Sequence, residues 1–358
     1  MNMLMIGVNH KTAPIEVREK FYLKAVEREL LLSDLKNNPS VVEALVISTC
    51  NRTEIYAHMI ESNPEALLQI FFKIKNLPLE DSLKTYFYIY SNENAVNHLL
   101  RVASGLDSLI LGEKQILGQI KEAAELSRKK GMMSKQFNIL TNMAVRAGKK
   151  ARSETSIDCG GSSISWAAVV TAQDALGTLE GKSVLIIGAG KMGHLAVSHL
   201  KEKGASQIYV TNRTHENAIA LAEEFGGTAV SFWDLKEVLS TVDVCICSAS
   251  APHYIIEKDL IQEIMAQRGN RKLVLIDISM PRNINPAISG IENVSLMAID
   301  DLSKVVEDNV RKRQAAVEAV EKIIERKICE FSQKLVKNHQ VELSGSYKEE
   351  AVTNNVAY

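Results

Sequence analysis

The stretch "KSVLIIGAGKMGHLAVSHLKEKG", residues 182–204, limits the possible folds of this chain more than any other. An unbroken apolar run leads into glycines at 188, 190 and 193 and then into helical periodicity. That pattern reads as a buried strand, a tight turn and a helix starting near Lys191. The alternation then repeats. "SQIYVTNRT", "TAVSF", "VDVCICSAS" and "KLVLIDISM" have strand patterns, and "HENAIALAEEFGG", "WDLKEVLSTV" and "EKDLIQEIMAQRG" have helical ones. Such alternation predicts an α/β fold with a parallel, doubly wound Rossmann-type sheet over residues 151–297. In G-x-G-x-x-G, Gly188 makes the turn, Gly190 lets a pyrophosphate approach the backbone, and Gly193 lets helix and strand pack closely. The bound anion would sit at the helix N-terminus. An NAD site wants an acid at the end of the second strand, but that strand ends "TNRT". Arg213 suits a 2′-phosphate, so NADP(H) is expected, the alternative being a solvated turn arginine.

Residues 1–150 read as an α+β domain, with strands in "MLMIGVNH", "VVEALVIST" and "EIYAHM". Helical periodicity follows from Asn94 to Lys130, where the glycines of "GLDSLILGEKQILGQI" predict two helices joined by a loop. An α+β domain beside a nucleotide domain predicts a cleft between them. Cys50 ends a strand and is surrounded by Thr49, Asn51, Arg52 and Thr53, as in a strand that emerges into a cleft. A guanidinium beside it would favour the thiolate. From the local pattern alone it remains either a nucleophile or a buried small residue. His98, in "AVNHLLRVA", and His10, in "GVNHKTAP", are each either structural or catalytic.

The totals close off other classes. The chain has 358 residues, enough for two or three domains, and a net charge of −1, which gives no global sign of nucleic-acid binding. Five cysteines at 50, 159, 245, 247 and 329 form neither a disulfide framework nor a zinc spacing, so no metal and a reducing cytoplasm are expected. Cys245 and Cys247 alternate and should share one buried face of a strand. No apolar run approaches the ~20 residues of a membrane span.

The segments "GVNHKTAPIEVREKF", "STCNRTEIY", "HLLRVASGLDSLILGEKQILGQIK", "ARSETSI", "GAGKMG…NRT", "IDISMPRNINP" and "AIDDL" together resemble the glutamyl-tRNA reductase family. The resemblance runs to about residue 315. It implies NADPH-dependent reduction of glutamyl-tRNA(Glu) to glutamate-1-semialdehyde, the first step of this route to porphyrins and heme. Cys50 matches the family's nucleophile, which forms a glutamyl thioester, and His98 its activity-critical histidine. Thr49, Asn51 and Arg52 match the glutamate-binding segment, and Arg52 suits a bidentate grip on a carboxylate. Ser108, Glu113, Lys114, Gln115 and Gln119 match further substrate positions, with Lys114 an unusual residue for its place. Met297 stands where an aromatic residue is common. Gly188, Ala189, Gly190, Lys191, Met192 and Gly193 match the NADPH loop, with Asn212, Arg213 and Thr214 as the "NRT" segment. A downstream glutamate-1-semialdehyde aminomutase enters as a partner on the same footing.

One amphipathic helix is expected from Asp301 to about Lys337 within a C-terminal segment 298–340, its stripe formed by Val306, Val310, Val317, Val320, Ile324, Ile328, Phe331 and Leu335. Arg311, Lys312 and Arg313 lie on it, as a solvated face or an RNA contact. Such a stripe should pack on the protein itself or on a partner helix. The resemblance implies a spinal helix followed by a helical dimerisation domain. The polar residues 341–358 read instead as a disordered tail, which removes the basis for the family's homodimer and for part of its tRNA grip. Two other readings remain: a divergent paralogue that binds NADP(H) or tRNA without full activity, and a shikimate-dehydrogenase-like oxidoreductase. The latter leaves "STCNRTEIY" without a role.

Overall fold

The computed structural model describes residues 2–157, 163–269, 271–302 and 314–333. Strands β1 (Met3–Asn9), β2 (Val41–Ser48), β3 (Arg52–Met59) and β4 (Tyr88–Ser91) form an antiparallel sheet in the order β2-β3-β1-β4. Both faces of β1 are buried. Leu4, Ile6 and Val8 pack under the helices Ala25–Lys36 and Pro64–Ile74, while Met3 and Met5 face the helices Asn92–Ser104, Gln115–Lys129 and Lys135–Glu154. This explains why the strand reads "MLMIGVN" without polar alternation. The two helices expected from the glycine-containing stretch are present, joined by residues 105–114. The short edge strand β4 was not anticipated, because four residues carry too little periodicity to announce themselves.

The second sheet is parallel throughout. Strands β5 (Ser183–Ile187), β6 (Gln207–Thr211), β7 (Thr228–Ala229), β8 (Val244–Cys247), β9 (Leu273–Asp277) and β10 (Val294–Ala298) lie in the order β10-β9-β8-β5-β6-β7. Order reverses at β5, which puts a crevice outside its carboxyl end. Val184 and Ile186 face the helix Ile164–Leu176, and Leu185 and Ile187 face the opposite layer with Cys245 and Cys247. The two cysteines therefore share one buried face, as alternation requires. The helix Lys135–Glu154 runs past residue 150 and packs with the first domain, as does Ile157.

The C-terminal segment differs from expectation at its start. Ile299–Leu302 is a 3-10 turn rather than the first turn of a long helix. Residues 314–333 are helical and fold back onto the first domain. Val320, Ile324 and Phe331 are buried there, Val317 and Ile328 partly so, and Arg101 pairs with Glu321. The described part of the stripe is thus covered by the protein's own core. Val306, Val310, Leu335, the basic run 311–313 and the tail 341–358 lie outside the described residues. Among the described residues no helix is long and apolar enough to cross a membrane.

Candidate active site

Cys50 sits in the two-strand turn between β2 and β3. Thr49 shapes that turn: its backbone N–H donates to Arg52 O at 2.8 Å, and its Oγ1 accepts from the N–H groups of Asn51 and Arg52 at 3.2 Å. Half-buried, Cys50 faces out of its own domain and packs against the apolar cluster of the nucleotide domain. Leu109, Trp166, Ala189 and Met192 border the same cluster, and Ile110 is buried inside it. The nucleophile candidate and the glycine loop therefore border one apolar cluster that joins Ile110 of the first domain to the nucleotide domain. Gln115 strengthens the junction by donating from Nε2 to Met192 Sδ at 3.0 Å.

Strand alternation puts Arg52, Glu54 and Tyr56 on one face of β3, beneath the helix that carries His98. Glu54 is fully buried and accepts from Arg52 Nη1 at 2.5 Å, Tyr56 Oη at 2.7 Å and Tyr88 Oη at 2.6 Å. His98 Nε2 lies 2.9 Å from the same carboxylate, and the rings of Tyr88 and Tyr90 flank the imidazole. Gly7 of β1 makes room for this group, since a Cβ there would lie 2.8 Å from Glu54 Cγ and 3.1 Å from the Tyr88 ring. Arg52 also bonds Asp107 Oδ2 at 3.0 Å, and Asp107 in turn pairs with Lys11. Burial alone would raise the Glu54 carboxyl, but Arg52, then His98 and Tyr88, override it and hold it well below the usual carboxylate range. Glu54, His98 and Asp107 bring three ligand atoms within 4.8 Å of one another. Arg52 Nη1 already bonds both carboxylates, so the guanidinium is the cation of this cluster.

Two expectations need correction here. Arg52 is not an open fork awaiting a substrate carboxylate: two carboxylates of the chain itself hold it, and its side chain is 1% exposed. Nor does a guanidinium make Cys50 a thiolate in this closed arrangement. Burial, and after it Glu113, push the thiol up to about 12, against smaller opposing effects of Arg18 and Arg52. Glu113 is buried on the loop that Arg152 ties down through the carbonyls of Ala103 and Glu113, and burial pushes its carboxyl up to about 7. Burial and then Arg52 lower His10 to about 3, keeping it neutral. His10 Nδ1 and Asn51 Oδ1 are buried without a hydrogen-bond partner among the described residues, and His10 N–H donates to Asn51 O at 3.0 Å. Ser108 and Gln119 are half-buried and Lys114 exposed, around the same loop.

A cavity of about 320 Å³ lies at the carboxyl ends of β5, β6 and β8. Gly188, Ala189, Gly190, Asn212, Arg213 and Thr214 line it, as do Phe232 and the Ser248–Ala251 turn. The glycines suit a dinucleotide. A Cβ on Gly193 would lie 2.0 Å from Gly188 O, which explains the close helix packing. A Cβ on Gly190 would meet nothing within 4 Å and would project into space that a pyrophosphate can use. Asn212 braces the loop by accepting from Ala189 N–H at 3.3 Å. Lys191 and Met192 open the helix Lys191–Glu202. Sequence reasoning missed Phe232 and the Ser248 turn, although the turn follows a strand end at the switch point, where a ligand is expected. It also missed Glu54 and Tyr88; period-2 spacing from Arg52 was the available signal for Glu54.

The glutamyl-tRNA(Glu) reductase N-terminal domain matches residues 6–155, and the shikimate/quinate 5-dehydrogenase family matches residues 170–305. Among curated relatives, the glutamyl-tRNA reductase of Desulforudis audaxviator is 40% identical over 331 residues, which cover 92% of this chain and 74% of that protein. The Syntrophotalea carbinolica enzyme is 42% identical over 334 residues, covering 92% of this chain and 75% of its own. The solved glutamyl-tRNA reductase of Methanopyrus kandleri is 33% identical, with a TM-score of 0.54 over 95% of this chain and 82% of that one. With two matched domains and this identity across nine tenths of its length, the chain belongs to the glutamyl-tRNA reductase family.

Proposed function

We propose that the chain reduces the glutamyl ester of charged tRNA(Glu) to glutamate-1-semialdehyde with NADPH, through a thioester on Cys50. One observation carries this reading: the Cys50 turn and the glycine loop border the same interdomain cluster, so a reducible acyl group and its reductant would share one surface. Substrate binding parts that surface and hydrates the thiol, which lowers its pKa from about 12 and frees the nucleophile. Cys50 Sγ then attacks the ester carbonyl carbon; the C–S bond forms, the bond to the ribose oxygen breaks, and tRNA leaves with the proton. Glu113, near neutrality with its carboxyl at about 7, is suited to relay that proton. The unpartnered Asn51 Oδ1 can accept from the substrate ammonium, and the Arg52 network keeps His98 in a fixed orientation through Glu54. The dinucleotide, when bound along Gly188–Gly193, supplies the hydride that takes the acyl group to the aldehyde level. Cys50 leaves as the thiolate and takes a proton from solvent to return to the thiol.

The exposed Arg213 at the cavity rim, with no acid between Thr211 and Thr214, supports NADP(H) over NAD(H). Arg213→Ala should raise the KM for NADPH by ~10-fold to ~100-fold and leave that for NADH unchanged, as the loss of a charged hydrogen bond predicts. Equal effects on both would remove Arg213 from the 2′-phosphate. Among the described residues Cys50, Cys245, Cys247 and Cys329 are free thiols. An α-amino aldehyde reacts quickly in water, so an aminomutase that docks to collect it is the downstream partner of this reading. The homodimer of the family remains open to light scattering. The test of the reaction is labelled glutamyl-tRNA with and without NADPH. Aldehyde that forms only with NADPH, and not with Cys50→Ser, supports it; tRNA left charged in every arm would favour a binding paralogue.

A further inference from the structure

Three segments that stand out in the sequence take no part in the chemistry above: "GVNHKTAPIEVREKF", "IDISMPRNINP" and "AIDDL". The fold brings them together at one junction beside the nucleophile. The helix Ile15–Phe21 of the first domain presents Glu16, Arg18 and Glu19 towards the nucleotide domain. Arg18 is buried. Its Nη1 donates to Cys50 O at 3.1 Å, while its Nη2 bonds the carboxylate of Asp300 from the other domain. Arg282, after β9, grips Glu19 three times, from its backbone N–H at 2.6 Å and from Nε and Nη2 at 3.1 Å each. Its Nη1 reaches Glu16 at 2.9 Å.

A guanidinium is a rigid planar fork, so fixing one arm fixes the direction of the other. Asp300 therefore orients the arm of Arg18 that holds the carbonyl of the nucleophile residue. The Arg282–Glu19 fork prevents the nucleotide domain from turning about that single contact. The two bridges leave the same short helix, and Cys50 itself packs on the domain they hold.

The geometry points to an interdomain latch in which Arg18, clamped by Asp300 and seconded by Arg282–Glu19, is a positioning residue that couples the seating of the nucleotide domain to the placement of Cys50. The inference rests on the thioester reading of Cys50. Acylation draws on the first domain alone, whereas reduction needs the nucleotide domain seated. A broken latch should therefore separate the two steps, which a merely structural contact would not do.

The test compares the full chain with Asp300→Asn and the conservative Asp300→Glu in three measurements. These are the glutamyl adduct on Cys50 without NADPH, aldehyde formation with NADPH, and alkylation of Cys50 by iodoacetamide with no substrate present. For Asp300→Asn the expectation is aldehyde formation slowed by about fivefold, acylation no slower than in the unaltered chain, and alkylation faster by about fivefold, the scale of one lost partly exposed ion pair. Asp300→Glu should recover most of each change. Acylation and reduction that fall together, or alkylation unchanged in Asp300→Asn, would overturn the latch. Absence of the adduct in the unaltered chain would sink the thioester reading instead, and the alkylation rates would still decide whether Asp300 holds the domains closed over Cys50.

Discussion

Replacing Arg52 with alanine should destabilise the first domain by about 3–5 kcal/mol, the scale of a buried ion pair broken by removal of one partner. Among the described residues Arg52 is the one guanidinium that bonds Glu54, which is fully buried, and it shares Asp107 with Lys11. Without it, Tyr56, Tyr88 and His98 would still bond Glu54, but no guanidinium would neutralise it. The pH dependence has a definite sign. Glu54 is held below its ordinary value of 4.5, so in the unaltered protein its contribution is present above that value and lost as pH falls through the folded one. In the variant the carboxyl reverts toward the raised value that burial favours, so the loss is larger at pH 8 than at pH 5. Urea unfolding followed by far-UV circular dichroism reads this. Trp166 and Trp233 both belong to the nucleotide domain, so their fluorescence transition should stay in place while the other moves. A loss below about 1 kcal/mol at pH 8 would show that the network is not held by Arg52.

Glu113→Gln should act in the opposite direction. Burial raises the folded Glu113 carboxyl from 4.5 to about 7, so its stabilising neutral form is present below 4.5 and the contribution is lost as pH rises through about 7. The difference of 2.5 between those values corresponds to about 3 kcal/mol at ~1.4 kcal/mol per unit. Glutamine keeps the shape and cannot ionise. The variant should be more stable than the parent by about that amount at pH 8 and indistinguishable from it at pH 4, in denaturant titrations at the two pH values. Equal stability at both would mean that Glu113 is solvated rather than buried. The same substitution removes the proposed proton relay, so a stabler protein should also be a slower one.

The legible parts of this molecule are those written in local periodicity. The strand–glycine–helix unit from Ser183 to Glu202 could be read because turn, strand and helix signals fall within one window. The side-by-side burial of Cys245 and Cys247 followed from alternation alone. What could not be read depends on partners distant in the chain. Asp107, which claims Arg52, lies 55 positions away, and Asp300, which claims Arg18, lies 282 positions away. From "CNRTE" an arginine near a cysteine looks available to both thiol and substrate. Only the fold reveals that Glu54 and Asp107 have already engaged it and that the thiol lies in an apolar seam. The strand β4 escaped notice for a different reason, its brevity, and yet Tyr88 at its start completes the Glu54 network.

The central claim is a covalent glutamyl group on Cys50 that precedes reduction. Its most direct test is to mix the protein with labelled glutamyl-tRNA(Glu) without NADPH, quench in acid and map the label by peptide mass spectrometry. The account predicts label on the Cys50 peptide, released as aldehyde when NADPH is added before the quench, and none in Cys50→Ser. Aldehyde formation by Cys50→Ser, or label on a peptide that lacks residue 50, would contradict it.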